Sequence, residues 1–113
     1  MARLGELKRD GLIAGDYPTE VQEITLTGPA EFKRGDVIAQ NDDGEYELVV
    51  GDALAIGIIC EDITVGDDEI TKTTMYVKGE FNQRFLQFGG DDTVETHKRR
   101  MTEIGLIPRP TRV

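Results

Sequence analysis

The chain of 113 residues has no tryptophan, one cysteine and one histidine, and each shortage excludes something. A lone cysteine closes no intramolecular disulfide, so this is not a disulfide scaffold. Cys60 lies inside an apolar run with no neighbour in sequence that would lower its pKa, which points to a buried, inert thiol. His97 has no Ser or Cys motif beside it and reads as a packed or rim histidine. No glycine-rich segment is followed by Lys-Ser/Thr, so no phosphate-binding loop is expected. The longest apolar run falls far short of the about 20 residues that cross a bilayer as a helix. No apolar h-region occurs near the N-terminus, so neither a signal peptide nor a membrane anchor is expected. A nucleophile, base and orienting group at plausible spacing are missing, and the chain is expected to be a non-enzyme without cofactor or metal.

What is present points to one mostly β domain. Thirteen glycines and few long periodic stretches suit short strands joined by many turns. The charge is uneven. Residues 16–90 carry sixteen acidic and five basic side chains, a net of −11, whereas residues 1–15 and 91–113 are each +1. An acidic body repels phosphate backbones, so direct nucleic-acid binding is not expected.

The run Ala53–Cys60, Ala-Leu-Ala-Ile-Gly-Ile-Ile-Cys, reads as a central strand buried on both faces. Gly57 within it suggests a bend or a close backbone approach. Residues 1–16 contain Gly5, Gly11 and Gly15, which break a helix, yet Leu4, Leu7, Leu12 and Ile13 are too apolar for an inert tail. That suits an arm that orders on a partner, with a first strand of the domain as the alternative. Domain limits of 1–16 for the arm and 17–113 for the body follow. Val21–Leu26 alternates as a half-buried strand, and Gly28-Pro29 ends it. Phe32 is a core anchor. Lys33–Asp36 is a turn before a short strand at Val37–Ala39, and Arg34-Gly35-Asp36 is a chance tripeptide. Asn41–Gly44 turns a hairpin but lacks the spaced ligands and closing Glu of a calcium loop. Residues 62–69 read as an acidic loop, Thr71–Val77 as a strand, and Lys78-Gly79-Glu80 as a bend or tight turn. One helix is expected after Gly89-Gly90, capped by Asp91 or Asp92, with Val94, His97, Met101 and Ile104 at helical spacing and Gly105 as its stop. Leu106-Ile107-Pro108 then extends away.

The order of these parts resembles the bacteriophage head decoration proteins related to protein D of phage lambda. The segments concerned are the apolar arm, Lys33–Ile38, a hairpin, Ala55–Ile59, Met75–Asn82, and a short helix closing with Ile104-Gly105-Leu106. The resemblance implies a mostly β (α+β) fold. Its body would be a small β-clip-like or partial β-barrel domain with one short C-terminal helix and an extended N-terminal arm. It also implies a homotrimer on the outer surface of the virion capsid, at three-fold and quasi-three-fold sites, acting as a cement against the pressure of packaged DNA. The arm would bind the major capsid protein by strand addition, which assigns Arg3, Leu4, Leu7, Lys8, Arg9, Leu12 and Ile13 to that contact. Phe85, Phe88, Leu106 and Ile107, the apolar side chains least needed in a small core, are the candidates for the trimer interface. Two other classes stay open: a stand-alone β-barrel module for a small ligand or peptide, and an enzyme on a similar scaffold.

Overall fold

The computed structural model describes residues 11–14 and 18–110. These form eight strands and one α-helix: β1 (Glu20–Thr27), β2 (Ala30–Phe32), β3 (Val37–Gln40), β4 (Tyr46–Leu48), β5 (Gly57–Ile59), β6 (Ile63–Val65), β7 (Ile70–Asn82), α1 (Val94–Glu103) and β8 (Leu106–Arg109). The main sheet runs in the order β1-β7-β5-β3-β4, with β8 pairing to β7, while β2 and β6 make a separate two-stranded sheet. The end strands β1 and β4 do not meet, so the sheet is open. The fold is mostly β with one helix near the C-terminus, as its composition leads one to expect.

Burial explains the strand sequences. In β1, Ile24 and Leu26 point inward, and Glu23, Thr25 and Thr27 are exposed. The inner strands have cores on both faces. Ile58 packs with Val37, Phe81 and Met101 on one side, while Ile59 packs with Ile38, Phe32 and Met75 on the other. Such strands read as unbroken apolar runs because neither face meets water. Each fully buried Ile or Leu contributes roughly 1.5–3 kcal/mol.

β5 is shorter than the apolar run that announces it. Ala53–Ile56 is not strand, although Ala55 is fully buried and the Ile56 amide donates to the Ile38 carbonyl at 2.9 Å. A Cβ at Gly57 would overlap the Met75 sulfur and crowd the Tyr76 carbonyl oxygen, a close approach that suits glycine where β5 pairs with β7.

β7 is the long element of the fold. It runs straight through Lys78-Gly79-Glu80, where the sequence suggests a turn. Its register against β1 shifts between Glu20 and Val21, where Glu20 faces Lys78 and Val21 faces Tyr76. One extra residue on β7 is a bulge, which bends a strand without ending it. Beyond the bulge β7 pairs in parallel with β8, from Gly79↔Leu106 to Asn82↔Arg109. Residues 106–109 therefore close back on the sheet instead of extending away. The acidic segment 62–69 is likewise not all loop, because β6 within it pairs with β2.

α1 starts one residue later than an Asp92 cap requires, and two later than an Asp91 cap requires. Thr93 is the N-cap, and its amide donates to Thr96 Oγ1 at 3.3 Å. His97 and Met101 are buried and Val94 and Ile104 partly buried, so the helical spacing is realised. Gly105, at φ +95°, ends the helix.

Candidate functional site

The N-terminal segment is built into the domain before Gly15. Ile13 forms an antiparallel bridge with Phe81. The Ala14 amide donates to the Glu80 carbonyl at 2.9 Å, and the Asn82 amide donates to the Leu12 carbonyl at 2.8 Å. Asn82 Nδ2 also donates to the Gly11 carbonyl. Leu12 is 1% exposed and Ile13 packs against the same core. Residues 11–14, which precede the boundary expected at residue 16, thus pack against the body. Leu12 and Ile13 belong to the domain, because their side chains complete the core beside Phe81. Arg3, Leu4, Leu7, Lys8 and Arg9 lie outside the described residues.

Phe85 packs over this root. A Cβ at Gly11 would lie 2.9 Å from its ring, so the contact depends on glycine. Arg84 stacks its guanidinium on the Phe85 ring at 5.2 Å. Phe85 and Phe88 are both partly buried, and Phe88 stacks on His97 at 5.4 Å with the rings nearly parallel. Ile107 is also half-buried, within β8. Leu106 is fully buried in the core of its own chain and is not available to a trimer contact.

Behind Phe88 the buried His97 ring meets the partly exposed Asp92 carboxylate. His97 Nε2 and Asp92 Oδ2 are 2.7 Å apart, and the same oxygen accepts from the Gly51 amide at 2.7 Å. Asp92 thus ties the turn after β4 to α1, a different role from the helix cap expected of it. The His97 bond, then the Gly51 amide, hold the Asp92 carboxyl below its ordinary range. A depressed carboxyl pKa stabilises the fold above the ordinary aspartate value, and that gain disappears as pH falls through the lowered value. Asp92→Asn is accordingly expected to be less stable than the parent at neutral pH. The gap should begin to narrow below about pH 4, as urea midpoints measured from pH 2 to 7 would register.

Arg34 organises the opposite edge of the core. Its Nη1 donates to the Cys60 carbonyl at 2.8 Å and to the Tyr76 hydroxyl at 2.9 Å. Its amide donates to Asp62 Oδ1 at 2.9 Å. Burial pushes up the pKa of both the Cys60 thiol and the Tyr76 hydroxyl, which keeps both protonated. Cys60 is 8% exposed, and a protonated, enclosed thiol is a poor nucleophile. Asp36 is 5% exposed and accepts from the Lys33 amide at 2.8 Å. Burial raises its pKa. Its carboxylate staples the turn instead of being displayed to an adhesion receptor.

Between α1 and the residues after β7 lies an open surface groove of about 570 Å³, lined by Gln83, Arg84, Leu86, Phe88, Asp92 and Val94 among others. No local pattern announces it, since its walls come from three separate stretches. Among the described residues the exposed large apolar side chains are Val21, Val50, Leu54 and Ile70, none of them foreseen as contact residues. Val50 and Leu54 flank the Gly51-Asp52 turn, a position that would have marked them as outward. Among the described residues no group of three or more His, Cys, Asp or Glu could hold a metal ion. No described helix is long and apolar enough to cross a membrane. The chain matches no known protein-family model and no curated protein sequence.

Proposed function

We propose that the protein is a structural cement of a bacteriophage head, binding as a homotrimer to the outer capsid surface at three-fold and quasi-three-fold sites. In this reading the segment before Gly11 contacts the major capsid protein, and no reaction is performed. The observation that carries it is the root at residues 11–14, held to β7 by three backbone and side-chain hydrogen bonds and by the buried Leu12. A binding segment that leaves a rigid body from a fixed point loses less entropy on docking than one on a loose linker. Three such segments on one trimer act at high effective concentration. The order of segments shared with the decoration proteins supports the same reading, and the acidic body suits a surface facing solvent, away from packaged DNA.

The test is removal of residues 1–10, leaving the root intact. The truncated protein is expected to keep the trimer mass of the full chain in light scattering. Its binding to DNA-filled heads of its own phage, read by co-sedimentation, is expected to fall roughly 100-fold or more. Undiminished binding would sink the arm assignment, and a full-length chain that is monomeric and ignores heads would sink the cement reading as a whole. The groove beside α1 favours a second reading, a peptide-binding module, which that last result would leave standing.

A further inference from the structure

Of the five arginines among the described residues, four spend their guanidinium on an acceptor. Arg34 Nη1 donates to the Cys60 carbonyl and the Tyr76 hydroxyl. Arg100 Nε donates to the Ala55 carbonyl at 3.1 Å. Arg99 pairs with Glu103 at 3.6 Å, and Arg109 with Glu80 at 3.0 Å. Arg84 differs. It is exposed, and among the described residues its guanidinium makes no hydrogen bond and no ion pair. Asp92 lines the same groove but does not pair with it, its Oδ2 being taken by His97 and Gly51. What orients Arg84 is the Phe85 ring, 5.2 Å away. A cation held over a ring keeps its five N–H donors for something else. The same ring packs against Gly11, from which residues 1–10 lead off. That segment carries Arg3, Lys8 and Arg9 against Glu6 and Asp10.

We propose that Arg84 is a docking residue, which takes an Asp or Glu carboxylate of the major capsid protein as the segment before Gly11 binds. This rests on the cement reading and names one contact within it. A planar guanidinium fork matches a carboxylate through two parallel hydrogen bonds. Stacking on Phe85 already orients the fork, so less side-chain freedom is lost on docking. Arginine and aromatic side chains at the centre of a contact carry much of its energy. A polyanion such as nucleic acid would meet the net −11 of residues 16–90 as well as Arg84, whereas a single carboxylate meets chiefly the cation. The basic residues of the segment that starts beside Phe85 favour an acidic partner surface in the same way.

The experiment is co-sedimentation of the full chain, Arg84→Ala, Arg84→Lys and Arg99→Ala with DNA-filled heads of its own phage, at low and high salt. Arg99 is the control, an exposed arginine on α1 already paired with Glu103. Arg84→Ala is expected to bind heads about tenfold more weakly, with a shallower salt dependence. Arg84→Lys keeps the charge without the fork and should recover part of that loss. Arg99→Ala should bind as the full chain does, and all three variants should keep its mass in light scattering. Equal binding by Arg84→Ala and the full chain would overturn the proposal and leave the cement reading intact. A similar loss in Arg99→Ala would overturn it by making the effect one of diffuse charge, and a lysine no better than alanine would remove the charge from the argument. A changed mass in Arg84→Ala would also overturn it, by giving the residue to the contact between subunits. No binding by the full chain would sink this proposal and the cement reading together.

Discussion

Phe81→Ala is expected to cost about 3–5 kcal/mol, the range for removing a large buried aromatic. The ring is fully buried, and it stands where three segments cross. Ile13 bridges to it from the N-terminal root, Pro108 of β8 lies opposite on the other edge of β7, and the Tyr76 ring packs at 5.3 Å in a tilted geometry. These partners come from separate parts of the chain and are each held by backbone hydrogen bonds, so they cannot all collapse into the space left behind. A domain of this size has about 5–15 kcal/mol in total, so the loss takes a large share of it. In a thermal melt it should lower the midpoint by roughly 10–20 °C. Phe85→Ala is the internal comparison. That ring is only partly buried, and the smaller loss should leave a well-folded protein. A Phe81→Ala protein within about 1 kcal/mol of the parent would mean that the root and β8 are not locked together at this residue.

How the root is built also shows what the sequence could and could not reveal. Leu12 and Ile13 sit between Gly11 and Gly15, in a stretch without regular alternation, so local pattern favours an arm. Their burial depends on Phe81 and Asn82, about seventy positions away, and no local period records such a partner. The same limit applies at Lys78-Gly79-Glu80. A glycine between charged residues is a reasonable turn signal, and here it marks the far side of a bulge inside a strand of 13 residues. By contrast, the inner sheet was legible. Val37–Ala39 and Ile58–Ile59 are apolar without interruption because both faces of the sheet are covered, and that composition is itself the record of their position. The helix was legible for the same reason. His97 and Met101 are four apart and share a buried face, while Arg99 points to solvent and pairs with Glu103.

The site divides along the same line. Cys60 and His97 were readable as packed side chains from the absence of partners nearby in sequence, and both are buried. Asp92 was readable as belonging to the start of α1, but its bonds to Gly51 and His97 replace the capping role. Here a competing hydrogen bond won. The Thr93 backbone is extended, as an N-cap requires, and leaves Asp92 free to reach across to the turn after β4. Leu106 follows the helix stop and looks surplus to a small core. It is fully buried because β8 folds back in parallel onto β7, a pairing that short-range sequence cannot announce.

Gly35→Ala is expected to destabilise the fold by about 2–6 kcal/mol, combining backbone strain with a steric clash. Gly35 has φ +100°, where a side chain is strained whatever the space around it. A Cβ there would also overlap the Phe85 carbonyl oxygen, which is backbone and cannot swing away. The turn has little freedom to relax. The Gly35 amide donates to the Ile59 carbonyl at 3.0 Å, and its carbonyl accepts from the Gln87 amide at 3.1 Å. One residue on, Asp36 bridges to Gln87 and staples the turn through the Lys33 amide. Gly51→Ala separates the two causes. Gly51 has φ +61° but nothing within 4 Å of the added carbon, so only the strain remains. Its loss should stay near 1–2 kcal/mol. Denaturant midpoints of the two variants, compared at equal m-value, would measure the clash by difference. Equal losses at Gly35 and Gly51 would show that the strand-end contact with Phe85 yields freely, and that the Arg34–Asp36 turn is not the rigid corner its hydrogen bonds describe.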